Sequence, residues 1–357
     1  MAANIRHDQA MPAVVALPAW NEAERIAACL SALGNQIRVP TGAVLLANNC
    51  IDGTEDIARG VTLPFRLDIR SVVLPPREAH AGMARRLAMH HAAELAGLNG
   101  IVLTTDADAI VPPDWVALNL DAVAAGAEVV CGQAVIDPRE AEDIPAHLHA
   151  DDALECHYAD LLDAIAEALC PDPADPRPRH TEASGASLAV TVGAFNQVGG
   201  VPLVPSAEDR ALVAALARID APIRHEPAIR VTVSGRLDGR APGGMADTMR
   251  RRIMQQDEYT DAKLEPAVDA YRRADFRRRV WTAWAGRNAE PDLATDLQLP
   301  RDTLHALLAG PYRGAAWADV ESLSPVMHRR RVRFADLPRQ IDYARELLTS
   351  LTAPVIP

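Results

Sequence analysis

The sequence is poor in aromatic residues, in long apolar runs and in paired cysteines, and each shortage excludes a class of protein. Aromatic residues make up 4% of the 357 residues against 49% hydrophobic residues, so aliphatic side chains and alanine must fill the core. No apolar run approaches the roughly 18 residues that a membrane-spanning helix needs. Residues 1–8 lack the apolar stretch of a secretory signal, so we expect a cytoplasmic location.

Cysteine usage and charge exclude two further classes. The five cysteines are odd in number and include no Cys-x-x-Cys pair, which argues for reduced thiols and against a disulfide framework or a zinc site. The net charge is −12, with −14 before residue 245 and +2 after it. An acidic body of this kind lacks the basic footprint of nucleic-acid binding, so we expect no nucleic-acid partner. A nucleotide is not excluded, because a bound cation offsets local carboxylates.

Strand and helix signals alternate through the first half of the chain. Short apolar runs predict strands, and apolar residues three and four apart, such as Ile26, Leu30 and Leu33, predict helices between them. This alternation is typical of an open, mostly parallel sheet flanked by helices, a Rossmann-like α/β fold. The predicted strands are residues 13–17, 44–47, 69–74, 101–105 and 128–135, and the predicted helices are residues 21–33, 54–57 and 83–98.

The alternation breaks after residue 136, and the chain reads as mostly helical beyond residue 244. We therefore expect a catalytic domain at residues 1–244 and a helical C-terminal region at residues 245–357. In between, we expect a helix at residues 150–169, a proline-rich loop at 170–178, a strand entered through 184–190, a helix at 206–219, a strand at 229–233 and a glycine-rich loop at 235–244.

Two carboxylates, Asp106 and Asp108, follow the fourth predicted strand. In extended backbone their side chains project to the same side, at the sheet edge where open α/β sheets bind ligands. Mg²⁺ takes carboxylates of this kind together with substrate phosphates, so the pair predicts a metal-diphosphate site. The alternative is a solvated acidic turn.

Two polar loops follow the first and second predicted strands. In residues 18–22, Pro18 ends the strand, and Asn21 is suited to cap the next helix. In residues 48–54, asparagine amides offer paired donors and acceptors to a base edge. Asparagine, aspartate and Gly53 also build turns, so a purely structural role stays open for this loop.

Taken in order, these segments resemble the family 2 glycosyltransferases, an inverting group with the GT-A fold. The resemblance spans roughly residues 12–244. It implies that Asp106 binds ribose, that Asp108 binds the metal, and that Arg85, in a helix-borne motif, contacts the diphosphate. Asn48 stands where the family commonly has an Asp that reads the base. The implied nucleotide-sugar contacts are Pro18, Ala19, Trp20, Asn21, Glu22, Asn48, Asn49, Asp52, Arg85, Asp106, Ala107 and Arg236.

Two later segments extend the resemblance to the acceptor side. Gly185, Ala186 and Ser187 match the family segment that lines the acceptor. Glu208 and Asp209 match its Glu-Asp segment, in which the Asp is the usual general base. The same segment also fits a helix N-terminus with Ser206 as its cap.

The last strand departs from the family pattern. Many relatives carry a His near the position of Ser234 as a further metal ligand, and this chain has Ser there. The nearest histidine, His225, is expected to begin the strand. In the loop that follows, Arg236 and Arg240 are predicted either to close over the diphosphate or to form a solvated linker.

The resemblance implies a hexosyltransferase that moves a sugar from a nucleotide-diphosphate donor to an unknown acceptor hydroxyl, with inversion and with Mg²⁺ or Mn²⁺. One alternative is a sugar-phosphate nucleotidyltransferase, although the glycine-rich basic loop of that class is missing after the first strand. The other alternative is a non-catalytic scaffold that binds nucleotide sugar. A basic segment with aromatics, residues 271–284, favours packing or a homodimer, and leaves open peripheral contact with the inner face of a membrane.

Overall fold

The described residues form one seven-stranded sheet flanked by helices. The computed structural model describes residues 11–237, 239, 244–255, 257–287 and 292–353. Their strands are β1 (Ala13–Ala19), β2 (Gly42–Asn48), β3 (Arg66–Val72), β4 (Ile101–Thr104), β5 (Val129–Ile136), β6 (Leu188–Thr191) and β7 (Ile223–Val233). The strand order is β3-β2-β1-β4-β6-β5-β7, and β6 alone among them runs antiparallel to its neighbours.

Helices connect the strands and make up most of the chain beyond β7. The first eight are α1 (Ile26–Gly34), α2 (Thr54–Gly60), α3 (Ala81–Ala96), α4 (Trp115–Ala124), α5 (Pro138–Ala141), α6 (Ala146–Leu169), α7 (Val192–Gln197) and α8 (Glu208–Arg218). The rest are α9 (Met245–Met254), α10 (Ala267–Gly286), α11 (Leu293–Asp296), α12 (Arg301–Leu308), α13 (Arg313–Leu323) and α14 (Leu337–Thr352). The predicted α/β class and the helical C-terminal extension are confirmed.

The central strands are buried on both faces, as parallel strands covered by helices are. Along β1, Val15 and Leu17 enter the core under α1 and α4, whereas Val14 and Ala16 enter the core under α3 and α8. Because successive side chains alternate, one apolar run fills both layers. The carboxyl ends of β1, β2 and β4 then meet at one edge of the sheet.

The C-terminal helices form a separate apolar layer that recruits α6 from the first part of the chain. Tyr158 and Ile165 of α6 pack with Ala267 of α10 and Ile341 of α14. The basic face of α10 is ion-paired within the protein, as Arg273 shows by its bonds to Glu265 and Glu321. None of the described helices combines the length and the apolar character needed to cross a membrane. The domain boundary at residue 244 stays a prediction.

Two predicted helix caps are wrong. Asn21 does not cap α1, which begins five residues later. Its backbone is left-handed (φ 56°), and its Oδ1 accepts a hydrogen bond from the N–H of Ile51. Ser206 does not cap α8 either, because the residue before that helix is Ala207, with φ 56° and no side-chain cap. In both places the chain turns sharply to present polar groups at the sheet edge.

The C-terminal region docks on α8 through one carboxylate and one glycine. Asp220, just after α8, accepts hydrogen bonds from the N–H groups of Arg313 (2.8 Å) and Gly314 (2.7 Å), which begin α13. A Cβ on Gly314 would lie 1.9 Å from the carbonyl oxygen of Ala217. The close approach of the two helices therefore requires glycine at this position.

We expect Gly314→Ala to lower the free energy of unfolding by about 1–3 kcal/mol, since overpacking a close contact forces the backbone to shift. Gly286→Ala is the matched control, because a Cβ there meets nothing within 4 Å. Chemical denaturation of the two variants beside the wild type measures the difference. Equal stability of the two variants would contradict the docking role of Gly314.

Candidate functional site

The loops that follow β1 and β2 are tied together by side chains of the predicted nucleotide site. Asp52 accepts hydrogen bonds from the N–H of Ala23 (3.0 Å) and from the N–H and hydroxyl of Thr54. Burial raises the pKa of Asp52, but these hydrogen bonds outweigh it, so the pKa lies below its usual value. Thr54 in turn accepts from the N–H of Glu22 at 2.8 Å. Asp52 therefore braces the two loops.

Asn48 and Asn49 have different surroundings. Asn49 donates to and accepts from the backbone of Leu74, at 3.0 and 2.9 Å, so its amide closes the β3 side of the loop. Asn48 is 4% exposed, and its Oδ1 has no hydrogen-bond partner. A buried carbonyl without a donor is costly, so this atom is suited to accept an N–H from a ligand.

The acidic pair at the end of β4 lies in a turn and not in extended backbone, which corrects the geometry expected from the sequence. The strand ends at Thr104, and the N–H of Ala109 bonds the carbonyl of Asp106 at 3.1 Å. The turn still brings the two carboxylates together. Burial and the neighbouring Asp106 carboxylate raise the pKa of Asp108 to about 6.

Arg236 reaches this acidic pair from the loop after β7. Its guanidinium donates to both carboxylate oxygens of Glu22, at 2.9 and 2.6 Å, and lies 2.9 Å from the Asp108 carboxylate. The loop is itself anchored, because Glu140 accepts from the hydroxyl of Ser234 and the N–H of Gly235. Of the two arginines predicted over the diphosphate, Arg236 therefore lies at the site, and Arg240 is outside the described residues.

Arg85 lies beneath the pair and faces inward. Its side chain is 6% exposed and donates to Asp106, Glu208, Thr104 and the carbonyl of Gly185, at 2.7 to 2.9 Å. Burial disfavours its charge, but the two carboxylates outweigh burial and raise the pKa of the guanidinium. Four of its five N–H donors are thus bonded to the protein. Its contact with the diphosphate stays a prediction.

Asp209 lies at the start of α8 and is fixed by backbone donors. Its two oxygens accept from the N–H groups of Gly185 and Arg210, both at 2.7 Å. Glu208, the residue before it, is buried against Arg85 and supports the segment from inside. Asp209 is half-buried and thus accessible, so of the two predicted catalytic carboxylates it is the one able to meet an acceptor.

The remaining predicted residues divide into exposed and buried positions. Trp20 is 43% exposed beside the β1 loop, whereas Ala186 and Ser187 are buried at 2% and 0%. The hydroxyl of Ser187 accepts from the indole N–H of Trp115 at 2.9 Å, which gives it a packing role. His225 lies within β7, as expected for a strand residue, and its Nδ1 is 2.7 Å from Asp175.

Three residues that sequence reasoning missed complete the site. Thr104 is an acceptor for Arg85, and Glu140 holds the loop that carries Arg236. His180 braces the predicted acceptor side, where its Nε2 is 3.1 Å from the carbonyl of Cys131 and its Nδ1 accepts from the N–H of Glu182. None of the three lies in a recognisable motif, so no signal in the sequence marks them.

The acidic pair fits a hard divalent cation. Asp106 and Asp108 offer carboxylate oxygens of the type that Mg²⁺ and Mn²⁺ prefer, and such ions commonly take substrate phosphates as further ligands. Burial first, and then the charge of Asp106, raise the pKa of Asp108, and Arg236 only partly offsets these two effects. Within the described ranges, no group of three or more His, Cys, Asp or Glu is arranged to hold a metal by itself.

The open sheet, with polar loops at the carboxyl ends of β1, β2 and β4, defines an α/β domain of the ligand-binding type. Residues 14–174 match the model of the family described as Glycosyl transferase family 2. The resemblance to the family 2 glycosyltransferases expected from the sequence is therefore confirmed over residues 14–174. A search of curated proteins found no match.

Solved structures resemble the chain at low identity. TarS 1-349 from S. aureus, solved with UDP, is 14% identical with a TM-score of 0.45 and covers 95% of this chain and 91% of its own. A mannosyltransferase from Pyrobaculum calidifontis, solved with GDP-Man and Mn²⁺, is 17% identical with a TM-score of 0.45, covering 94% and 79%. Glucosyl-3-phosphoglycerate synthase from Mycobacterium tuberculosis is 18% identical with a TM-score of 0.41, covering 70% and 81%. With TM-scores below 0.5, the assignment rests on the family model alone.

We expect the brace formed by His180 to fail in acid. Burial and the neighbouring His225 lower the pKa of His180 to about 4, against 6.5 in the unfolded chain. The unfolded chain therefore takes the proton first, so the stabilisation is complete above pH 6.5 and is lost as the pH falls to 4. At 1.36 kcal/mol per pKa unit, the loss is on the order of 1–3 kcal/mol.

Chemical denaturation between pH 7 and 4 measures this loss. The His180→Gln variant should lose less free energy of unfolding over that range than the wild type. His147→Gln, at an exposed histidine of α6, is the control and should follow the wild type. If His180→Gln lost as much as the wild type, the brace would not depend on neutral His180.

Proposed function

We propose that the protein transfers a sugar from a nucleotide-diphosphate donor to an acceptor hydroxyl, with inversion at the sugar carbon and with Mg²⁺ or Mn²⁺. The observation that carries the proposal is the short path between the acidic pair and Asp209. Asp106 bonds Arg85, Arg85 bonds the carbonyl of Gly185, and the N–H of Gly185 bonds Asp209. A donor site and a base for the acceptor are thereby held side by side.

On the donor side, the chain offers separate groups for the parts of a nucleotide sugar. Asn48 has a buried acceptor oxygen for a base, and Trp20 is 43% exposed in the loop after β1. Asp106, whose Oδ1 is fixed by Arg85, is assigned to ribose, and Asp108 to the metal. A bound Mg²⁺ or Mn²⁺ would neutralise charge on the leaving diphosphate. Arg236 is placed to add a second positive charge there.

On the acceptor side, Asp209 is the proposed general base. As the acceptor hydroxyl attacks from the face opposite the diphosphate, the hydroxyl proton passes to a carboxylate oxygen of Asp209. Each oxygen already accepts one backbone N–H, and each keeps a further lone pair. The two backbone hydrogen bonds fix the position of the carboxylate, and the proposed catalysis depends on that position.

Three further features of the protein belong to the proposal. The catalytic domain is assigned to residues 1–244, with α6 as its contact to the helical C-terminal region. A cytoplasmic location, with or without peripheral contact at the inner membrane face, follows from the sequence expectations. So does a homodimer through the C-terminal helices. The acceptor is assigned only as a hydroxyl group.

We expect Asp108→Asn to reduce metal-dependent turnover of a nucleotide sugar by on the order of 10³-fold. Several kcal/mol of charge stabilisation would be lost, at 1.36 kcal/mol per factor of ten. A thermal-shift screen of UDP- and GDP-sugars with Mn²⁺ first identifies the donor, and its hydrolysis is then measured. Asp114→Asn, at the next aspartate in the sequence, is the control.

Full activity of Asp108→Asn would contradict the metal site. Pyrophosphate released from a nucleoside triphosphate would instead support a nucleotidyltransferase. Nucleotide binding without turnover over a broad panel of acceptors would support a non-catalytic scaffold.

We expect Asp209→Asn to lower kcat by about 10²–10⁴-fold, which is the usual contribution of a general base, while donor binding is unchanged. Calorimetry with UDP or GDP and Mn²⁺ measures binding, and turnover measures kcat. Asp143→Asn, at an exposed aspartate between α5 and α6, is the control. An unchanged kcat would remove Asp209 from the mechanism. Separately, a product that retains the configuration of the sugar carbon, seen by NMR, would exclude inversion.

A further inference from the structure

One guanidinium joins the two halves of the proposed site without facing either substrate. Arg85 donates from Nε to Glu208 (2.9 Å), from Nη2 to Asp106 (2.7 Å), and from Nη1 to Thr104 and the carbonyl of Gly185 (both 2.9 Å). These bonds reach β4, the turn after it, the segment before β6 and the start of α8. A residue that touches all four can hold them in one geometry.

Both carboxylates that Arg85 pairs belong to the proposed catalytic segments, and they differ in exposure. The side chain of Glu208 is 7% exposed, like that of Arg85 at 6%, so this pair is shielded from solvent. Asp106 is 36% exposed, with one oxygen bonded to Arg85. The buried pair therefore serves as the fixed end of the cluster, and Asp106 as the end that meets the donor.

The backbone around Arg85 leaves space that only glycine provides. A Cβ on Gly185 would lie 2.3 Å from Nη2 and 2.4 Å from Cζ of Arg85. On the helix that carries Arg85, a Cβ on Gly82 would lie 2.3 Å from the carbonyl oxygen of Val204. Glycine at 185 lets the guanidinium reach the backbone, and glycine at 82 lets α3 approach the segment before α8.

From these contacts we infer that Arg85 is a positioning residue which sets the geometry of Asp106 and Asp209 relative to each other. Gly185 links Arg85 to Asp209. Its carbonyl accepts a hydrogen bond from Arg85, and its N–H donates to Asp209 at 2.7 Å and so orients the proposed base. This inference rests on the proposed function. It differs from a direct contact with the diphosphate, because Arg85 acts through protein groups.

The sharpest test displaces the guanidinium without changing its charge. In Gly185→Ala, the new methyl group forces Arg85 and the 185 backbone apart. We expect kcat for nucleotide-sugar turnover to fall on the order of 100-fold, as misplacement of catalytic groups by about 1 Å does, and the Kd for UDP or GDP with Mn²⁺ to change much less than kcat. The limb of the pH–kcat profile that reports the base should also shift.

The control is Gly193→Ala, because a Cβ at exposed Gly193 in α7 meets nothing within 4 Å. This variant should keep the kcat, the Kd and the pH profile of the wild type. Arg85→Lys is the second variant. Lysine keeps the charge but lacks the planar fork that serves several acceptors at once, so the same loss of kcat is expected.

The outcomes separate this inference from the proposed function. If the wild type bound and turned over no nucleotide sugar, the proposed function would fail. If the wild type were active and Gly185→Ala kept full kcat and an unchanged pH profile, the positioning role would be overturned while the function stood. If Gly185→Ala or Arg85→Lys did not fold, Glu208→Gln would test the positioning role. This variant removes the charge that Arg85 pairs with, at nearly constant side-chain volume. An unchanged kcat and pH profile in Glu208→Gln would then overturn the inference.

Discussion

The site depends on one buried ionic cluster, in which the guanidinium of Arg85 lies between the carboxylates of Asp106 and Glu208. Removing the guanidinium would leave the buried carboxylate of Glu208 without its cation, and breaking a buried pair in this way costs about 3–5 kcal/mol. Because the members of the cluster come from α3, the end of β4 and the start of α8, their assembly fixes the sheet edge on which the loops rest.

A second guanidinium, that of Arg236, is held more openly. It lies between Glu22 and Asp108, on a loop anchored by Glu140. Each arginine thus pairs with one member of the acidic pair. Arg85 contacts Asp106 from the protein interior, and Arg236 contacts Asp108 from the loop after β7. A divalent cation at Asp108 would compete for the same carboxylate, and the diphosphate it brings would offer Arg236 a new partner.

The sequence was sufficient for the α/β class, for all seven strands and for the positions of the loops, because these follow from local apolar patterns. It failed where long-range contacts decide the conformation. Asn21 and Ala207 adopt left-handed backbone, with φ 56° in both. Asparagine is enriched in this conformation, but propensity does not predict it for an alanine. The alternation of side chains along a strand predicted that Asp106 and Asp108 lie on the same side. In the structure a turn brings them together instead. Thr104 and Glu140 were missed, since only the folded chain brings them to the arginines.

Asn48 bears on this balance of charge. Family relatives commonly have a carboxylate at its position, next to a site that already contains Glu22, Asp106 and Asp108. An amide there keeps a buried acceptor oxygen and removes one negative charge. Under the proposed function, the change would lower the repulsion that a diphosphate meets on entering, and a base would meet one neutral acceptor at this position. A neutral amide at the base end is thus compatible with a cation site that depends partly on Arg236, because less negative charge has to be offset.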